Sequence, residues 1–195
     1  MREAATGYVL LGVLAVGGAM SGFEIRRFID NSVRFFWRES YGQIYPELKR
    51  LAAEGLIRPV GAHREGRDAK PWRITAAGRA ALKAWLDKPA QQQPPRDETL
   101  LKLFFSRHAG EETRPALVAA ARASALDRQR ALKAAEQVVL REPDDPDLLA
   151  SLLVLDRGLR TAEATLAWCE EAEKLSDAWA KGGAGELIKR WRRRP

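Results

Sequence analysis

The sequence predicts a mainly α-helical protein in two parts, an N-terminal unit of helices around a two-stranded β-hairpin and a C-terminal unit of long helices. Three observations predict it. Apolar residues recur at helical spacing along most of the chain; two short β-compatible runs flank a basic, glycine-containing segment; and a proline-rich stretch, Pro89-Ala-Gln-Gln-Gln-Pro-Pro-Arg96, divides the chain.

Tyr8 to Val16 is continuously apolar or small and runs into Gly17-Gly18, which predicts a buried first helix with a glycine stop. Ser21 is placed to cap a second helix to about Asp30, whose Phe23, Glu24, Ile25, Phe28 and Ile29 divide between buried and exposed faces at helical spacing. A third helix is predicted from near Ser40, with Ile44, Leu48, Leu51 and Ala52 facing inward and a glycine stop at Glu54-Gly55. Pro46 has no amide hydrogen, so it must lie near enough to the start to be tolerated, or the helix bends there. Leu56 to Val60 and Pro71 to Thr75 read as the strands of a hairpin with a polar, positively charged tip, and Thr75 caps a fourth helix through Leu82, Trp85 and Leu86.

The stretch 89–96 is too poor in apolar residues to pack a core and marks a linker between residues 1–88 and 97–181. Beyond it, Asp97 caps a short helix with Leu100, Leu101, Phe104 and Phe105 on one side, and Pro115 suits the first turn of the next, which runs to about Leu140. Glu142-Pro-Asp-Asp-Pro-Asp147 is a turn whose acids favour the start of the helix that follows. In that helix Leu148, Leu152, Leu155, Leu159, Ala162, Leu166 and Cys169 form a heptad seam. The seam predicts coiled-coil-like pairing, with Leu152, Leu155, Leu159 and Leu166 as dimer contacts; an antiparallel partner within the same chain would use it equally. Residues 182–195 read as a basic tail, either an aid to nonspecific DNA affinity or a solvated extension.

The net charge of +7 is unevenly placed. Residues 1–88 hold 15 Lys and Arg against 9 Asp and Glu, residues 89–188 hold 13 against 17, and the last seven residues add five basic groups. The surplus in the first part suits a polyanionic partner. One cysteine, Cys169, excludes an intrachain disulfide and fits a reducing compartment. The apolar run at Tyr8–Val16 is too short to span a bilayer and the start lacks a secretion signal, so a cytoplasmic protein with no membrane partner is expected.

Three helices, a basic hairpin and a capped helix follow the order of a winged helix-turn-helix, in which the third helix enters the major groove of double-stranded DNA. Opposite its apolar stripe, that helix offers Ser40, Gln43, Tyr45, Glu47, Lys49 and Arg50. The Gln43 amide donates and accepts together, the pattern adenine requires, while Lys49 and Arg50 supply charge for phosphates. Arg64, Arg67, Lys70 and Arg73 give the hairpin the charge a wing needs to lie along a phosphate backbone. The competing reading is a winged helix used as a protein-interaction module, with the helical region as a scaffold.

Four blocks of this sequence resemble the PadR family of bacterial regulators: Tyr8-Val-Leu-Leu-Gly-Val-Leu14, Met20-Ser-Gly-Phe-Glu-Ile25, the stretch from Gly42-Gln-Ile-Tyr-Pro-Glu to Glu54-Gly-Leu-Ile57, and Trp72-Arg-Ile-Thr-Ala-Ala-Gly78 on to Leu86. The third block is the specific one, since the family's recognition helix carries a Tyr-Pro pair where Tyr45-Pro46 stands. Phe23 and Trp72 depart from it, at places where tyrosine is frequent. The helical remainder is similar to the longer C-terminal domain of a branch related to virulence-type activators. The resemblance implies a homodimer held by C-terminal helices, a palindromic operator read by two recognition helices, and repression relieved by a small hydrophobic effector.

Other chemistry finds little support. His63 and His108 have no metal-spaced partner, Cys169 has no CxxC companion, and the N-terminal glycines form no phosphate-binding loop, so no catalytic set, metal site or cofactor is expected. Trp168 and Trp179 carry two readings, packing between dimer helices or walls for a flat hydrophobic effector.

Overall fold

The computed structural model describes residues 5–32, 41–61, 71–90 and 96–193. The chain forms two compact units, residues 1–93 and 94–195.

The first unit opens with α1 (Ala5–Gly17), whose Leu10, Leu11, Val13 and Leu14 are all buried. Gly18 follows at φ +77°, a left-handed conformation that glycine adopts without steric cost. α2 (Gly22–Asn31) starts at a complete capping box: the Ser21 hydroxyl accepts from the Glu24 amide, and the Glu24 carboxylate accepts from the Ser21 amide at 2.7 Å. α3 (Tyr41–Ala53) sends Ile44, Leu48 and Leu51 into the core and ends in a Schellman motif. There the Leu56 amide donates to the Leu51 carbonyl at 2.9 Å and the Gly55 amide to the Ala52 carbonyl at 3.0 Å, with Gly55 at φ +70°.

β1 (Ile57–Pro59) and β2 (Trp72–Ile74) pair antiparallel, in the register Ile57 with Ile74, Arg58 with Arg73 and Pro59 with Trp72. Ile57 and Ile74 point into the core, so the alternating Arg58 and Arg73 point out. Thr75 joins three elements at once. Its hydroxyl donates to the Gly55 carbonyl at 2.8 Å and accepts from the Gly78 amide at 3.1 Å, capping α4 (Ala76–Leu86) against the end of α3. The rings of Tyr8 and Trp85 stack with centroids 4.9 Å apart, which fixes α4 to α1.

The second unit begins with α5 (Glu98–Phe105), capped by the Asp97 carboxylate, which accepts from the Thr99 and Leu100 amides. Leu100, Leu101, Phe104 and Phe105 are all exposed in the single chain. A 3-10 turn at Ser106–His108 leads to α6 (Thr113–Val139), and the buried Ser106 hydroxyl accepts from Arg114 Nε at 2.8 Å. α6 and α7 (Leu148–Arg192) pair as an antiparallel hairpin. Val118, Ala125 and Leu132 of α6 are buried at heptad spacing, and so are Leu155, Ala162 and Cys169 of α7. The Cys169 thiol faces the Val118 carbonyl at 3.7 Å, and a β-carbon at Gly158 would meet Leu132.

Two expectations change here. The seam of α7 turns one row toward its own chain: Leu155, expected as a dimer contact, is buried within the monomer, while Leu152, Leu159 and Leu166 stay half-buried. The basic end is no loose tail. Backbone angles at Gly182 and at Gly183, where φ is +57°, break α7, and the helix resumes to Arg192. Arg190 then reaches Glu171 at 2.7 Å, so the last segment folds back along α7.

Candidate nucleic-acid interface

α3 presents Gly42, Gln43, Pro46, Lys49, Arg50 and Ala53 to solvent, on the side away from Ile44, Leu48 and Leu51. Small or flat residues at Gly42, Pro46 and Ala53 leave a low ridge from which Gln43 and Lys49 project. Lys49 forms no ion pair among the described residues, so its charge is available to a partner.

Arg50 differs from that neighbour. Its Nη2 meets Glu47 Oε1 at 2.6 Å, its Nε donates to Glu47 Oε2 at 3.0 Å and its Nη1 donates to Glu54 Oε1 at 2.5 Å. The hydrogen bond to Glu47, with Glu54 beside it, raises the guanidinium above its ordinary pKa. The group sits over α1, where a β-carbon at Gly7 would stand 2.5 Å from Glu47 Oε1 and 2.8 Å from Arg50 Nη2. Two carboxylates against one guanidinium leave a local charge of minus one, so Arg50 acts here as a brace for α3 on α1 rather than as an unengaged phosphate contact. The i to i+3 and i to i+4 spacings that build the brace were visible in the sequence.

Tyr45 lies on the other flank of α3, and its ring rests on the backbone of α2 at Gly22. It is 55% exposed all the same. Its outer face is therefore open, while its inner edge, hydroxyl oxygen included, lies over Gly22 and sets the spacing of the two helices.

The hairpin shares the core of this unit, Ile57 and Ile74 packing in one cluster with Ile44, Leu48 and Leu51 of α3. Met20 and Trp72 exchange both amide-carbonyl hydrogen bonds, at 3.0 and 2.7 Å, which ties β2 to the turn between α1 and α2. Arg58 and Arg73 face each other across the strands, both exposed and neither in an ion pair among the described residues. Like charges directly opposite one another destabilise a strand pair, and an anion lying across them relieves the repulsion. Arg58 escaped sequence reasoning because only the register makes it the partner of Arg73. Ser40, Arg64, Arg67, Lys70 and His63 lie outside the described residues.

In the second unit, Trp168 is half-buried and Trp179 is 53% exposed. Neither lines the cleft of about 440 Å³ between the two arms of α7, whose walls include Glu171, Lys174, Asp177, Lys181, Glu186 and Arg190. Charged side chains and Ala178 line that cleft, and no aromatic ring is among them. Burial pushes the Cys169 thiol above its ordinary pKa, against a lowering by Arg122. No group of metal-ligating side chains occurs among the described residues, and no described helix is long and apolar enough to cross a membrane.

Comparison with known proteins decides what this arrangement is for. Residues 10–84 match the transcriptional regulator PadR-like family, and residues 95–177 match the virulence activator alpha C-terminal family. The chain is 31% identical over 176 residues to the probable transcriptional regulator Rv1176c of Mycobacterium tuberculosis, covering 82% of this chain and 92% of that one. This chain belongs to the PadR-like family of transcriptional regulators.

It is 27% identical over 183 residues to the negative transcriptional regulator PadR of Bacillus subtilis, covering 87% and 96% of the two chains. Structures of that Bacillus protein superpose with TM-scores of 0.73 for its complex with operator DNA, at 23% identity over 88% of this chain and 97% of that one, and 0.70 for its complex with p-coumaric acid, at 26% over 87% and 97%. The virulence activator AphA of Vibrio cholerae superposes with a TM-score of 0.70 at 26% identity, over 89% of this chain and 98% of that one. The PadR-like chain is therefore a DNA-binding transcriptional regulator of winged-helix fold, and not an enzyme.

Proposed function

We propose that this PadR-like regulator is a homodimeric repressor that reads a palindromic operator with α3 of each copy and is released by a small hydrophobic effector. The observation that carries the reading is the low, polar ridge of Gly42, Gln43, Pro46 and Lys49, together with the exposed pair Arg58 and Arg73 on the hairpin of the same unit. Gln43 is the base reader, Lys49 and Tyr45 flank it, and Ser40, which precedes α3 in the sequence, is a further DNA contact. Arg58, Arg64, Arg67, Lys70 and Arg73 hold phosphates. Residues 1–88 supply DNA binding, residues 89–96 link, and the helical unit from Asp97 supplies dimerisation. Its exposed Leu100, Leu101, Phe104 and Phe105, with the half-buried Leu152, Leu159 and Leu166, are apolar surface that a second copy would cover.

The effector half leans on kinship with the Bacillus protein and on Trp168 and Trp179 as flat apolar surfaces in the helical unit. A p-coumarate titration followed by tryptophan fluorescence and by operator release tests it, with Trp168→Phe and Trp179→Phe assigning the response.

Band shifts with DNA from upstream of the regulator's own gene test the DNA-binding half. Specific binding about a thousandfold or more tighter than to random DNA is expected, and Gln43→Ala should relax base preference by about 1–3 kcal/mol at one position of each half-site. Binding no tighter than to random DNA, with or without a phenolic acid, would sink the reading.

A further inference from the structure

We infer that the two ends of the helical unit are complementary docking surfaces for a second copy of this chain, the folded-back C-terminal segment of one copy seating on the α6–α7 turn of the other. The inference rests on the homodimer proposed above and adds its orientation and its chemistry.

The two surfaces lie far apart on one rod. α7 climbs about 50 Å from Leu148 to Lys181 at 1.5 Å per residue before the Gly182–Gly183 break. Because Arg190 returns to Glu171, the last segment lies beside the far end of α7 and stays roughly 35 Å from the turn. One copy cannot bring its own two ends together.

Their charges are opposite. Residues 136–147 hold five acids, Glu136, Glu142, Asp144, Asp145 and Asp147, against Arg141 alone. Residues 181–194 hold six basic groups against Glu186 alone. Within the second unit Lys189 and Arg190 already pair with Glu186 and Glu171, but both sets keep members outside ion pairs: Glu142, Asp144 and Asp147 form none among the described residues, nor do Lys181 and Arg192. Each end also carries apolar surface. Val138, Leu140, Leu149 and Leu153 are exposed around the acidic turn, and Trp179, Ile188 and Trp191 are half or more exposed at the basic end.

Two such rods side by side and antiparallel place the acidic end of each against the basic end of the other. A twofold axis between them makes the contact twice. One arrangement thus satisfies both charged ends and covers both apolar patches. A DNA-binding arm would use the basic end alone and leave the acidic, apolar turn unexplained.

The test is sedimentation equilibrium on the full chain at about 50 mM and 500 mM salt, with three variants: Lys181→Glu/Arg192→Glu/Arg193→Glu, Glu142→Lys/Asp144→Lys/Asp145→Lys, and the two combined. The wild type should dimerise, and more weakly at high salt, where the Debye length falls below about 5 Å. Each single-end reversal should raise the dimer Kd about tenfold or more, and the combined reversal should restore it to within about threefold. All six positions are exposed, so helical content and melting temperature should hold, and the combined variant separates lost pairing from lost folding. Reversals that leave the dimer Kd unchanged, or a combination that rescues nothing, overturn the inference while the homodimer stands. A monomeric wild type at micromolar concentration overturns both. If the basic-end reversal lowers DNA affinity and leaves the dimer untouched, the segment is a polyanion-binding arm and the inference fails.

Discussion

The hydroxyl of Thr75 donates to the carbonyl of Gly55 across twenty residues of chain, at 2.8 Å, and so fixes the start of α4 to the end of α3. Gly78 completes the joint. A β-carbon there would overlap the Leu56 carbonyl oxygen, a backbone atom that cannot swing away.

Gly78→Ala should therefore destabilise the N-terminal unit by about 2–3 kcal/mol. Gly22→Ala should cost less than about 1 kcal/mol, because the obstructing group is the half-exposed ring of Tyr45, which can turn outward. Urea unfolding of the two variants separates them; equal losses would mean that α4 does not rest on Leu56 as described.

The capping box makes a pH prediction. Its hydrogen bonds from the Ser21 backbone and hydroxyl hold the Glu24 carboxyl below its ordinary value of 4.5. A carboxylate whose folded pKa is depressed contributes stability above its unfolded pKa and loses it as pH falls through the folded one. Glu24→Gln should thus flatten the acid limb of the stability curve below about pH 4.5, and Ser21→Ala should cost about 1 kcal/mol at neutral pH. Thermal melts between pH 3 and 7 read both.

Arg58 and Arg73 should separate stability from affinity. Removing either leaves the strand pair less repelled, so Arg58→Ala should raise stability by a few tenths of a kcal/mol, about the scale of one cross-strand pair. The same change should weaken binding to all DNA sequences alike and reduce the slope of log K against log salt by about one. A variant that loses stability and keeps its salt slope would place Arg58 in the fold rather than at the phosphate backbone.

Lys49 and Arg50, neighbours in sequence, should behave differently. Lys49→Ala should lower DNA affinity with stability unchanged within about 0.5 kcal/mol. Arg50→Ala strands the largely covered Glu47 without its partner and should cost about 1–2 kcal/mol of stability. Denaturation and band shifts on both variants decide; the reverse pattern would mean that the Glu47–Arg50–Glu54 brace opens when DNA arrives.

Where the helices start and stop was legible because the signals are local. Ser21, Thr75 and Asp97 each satisfy amides within three residues, and Gly18 and Gly55 each take a left-handed turn that other side chains resist. The apolar stripe of α3 was legible for the same reason. What a seam pairs with is not local. The heptads of α7 specify a stripe but not its partner, and only the fold shows that α6 takes Leu155, Ala162 and Cys169. The basic end misled because its charge outweighed the turn in Gly182–Gly183. Arg58 needed the strand register, which no spacing in the sequence supplies.

Pro46 leaves α3 with two unlike halves. It has no hydrogen to offer the Gly42 carbonyl, so the turn that carries Gln43 lacks a rung, while the turn behind it is riveted by Glu47 and Glu54 onto Arg50. The N-terminal turns of α3 are the more compliant part and its C-terminal end is the stiffer one. On the palindromic operator proposed above, such a helix would settle into half-sites of slightly different groove width without loosening its seat in the protein, tolerating mismatches at their outer bases sooner than a change in half-site spacing.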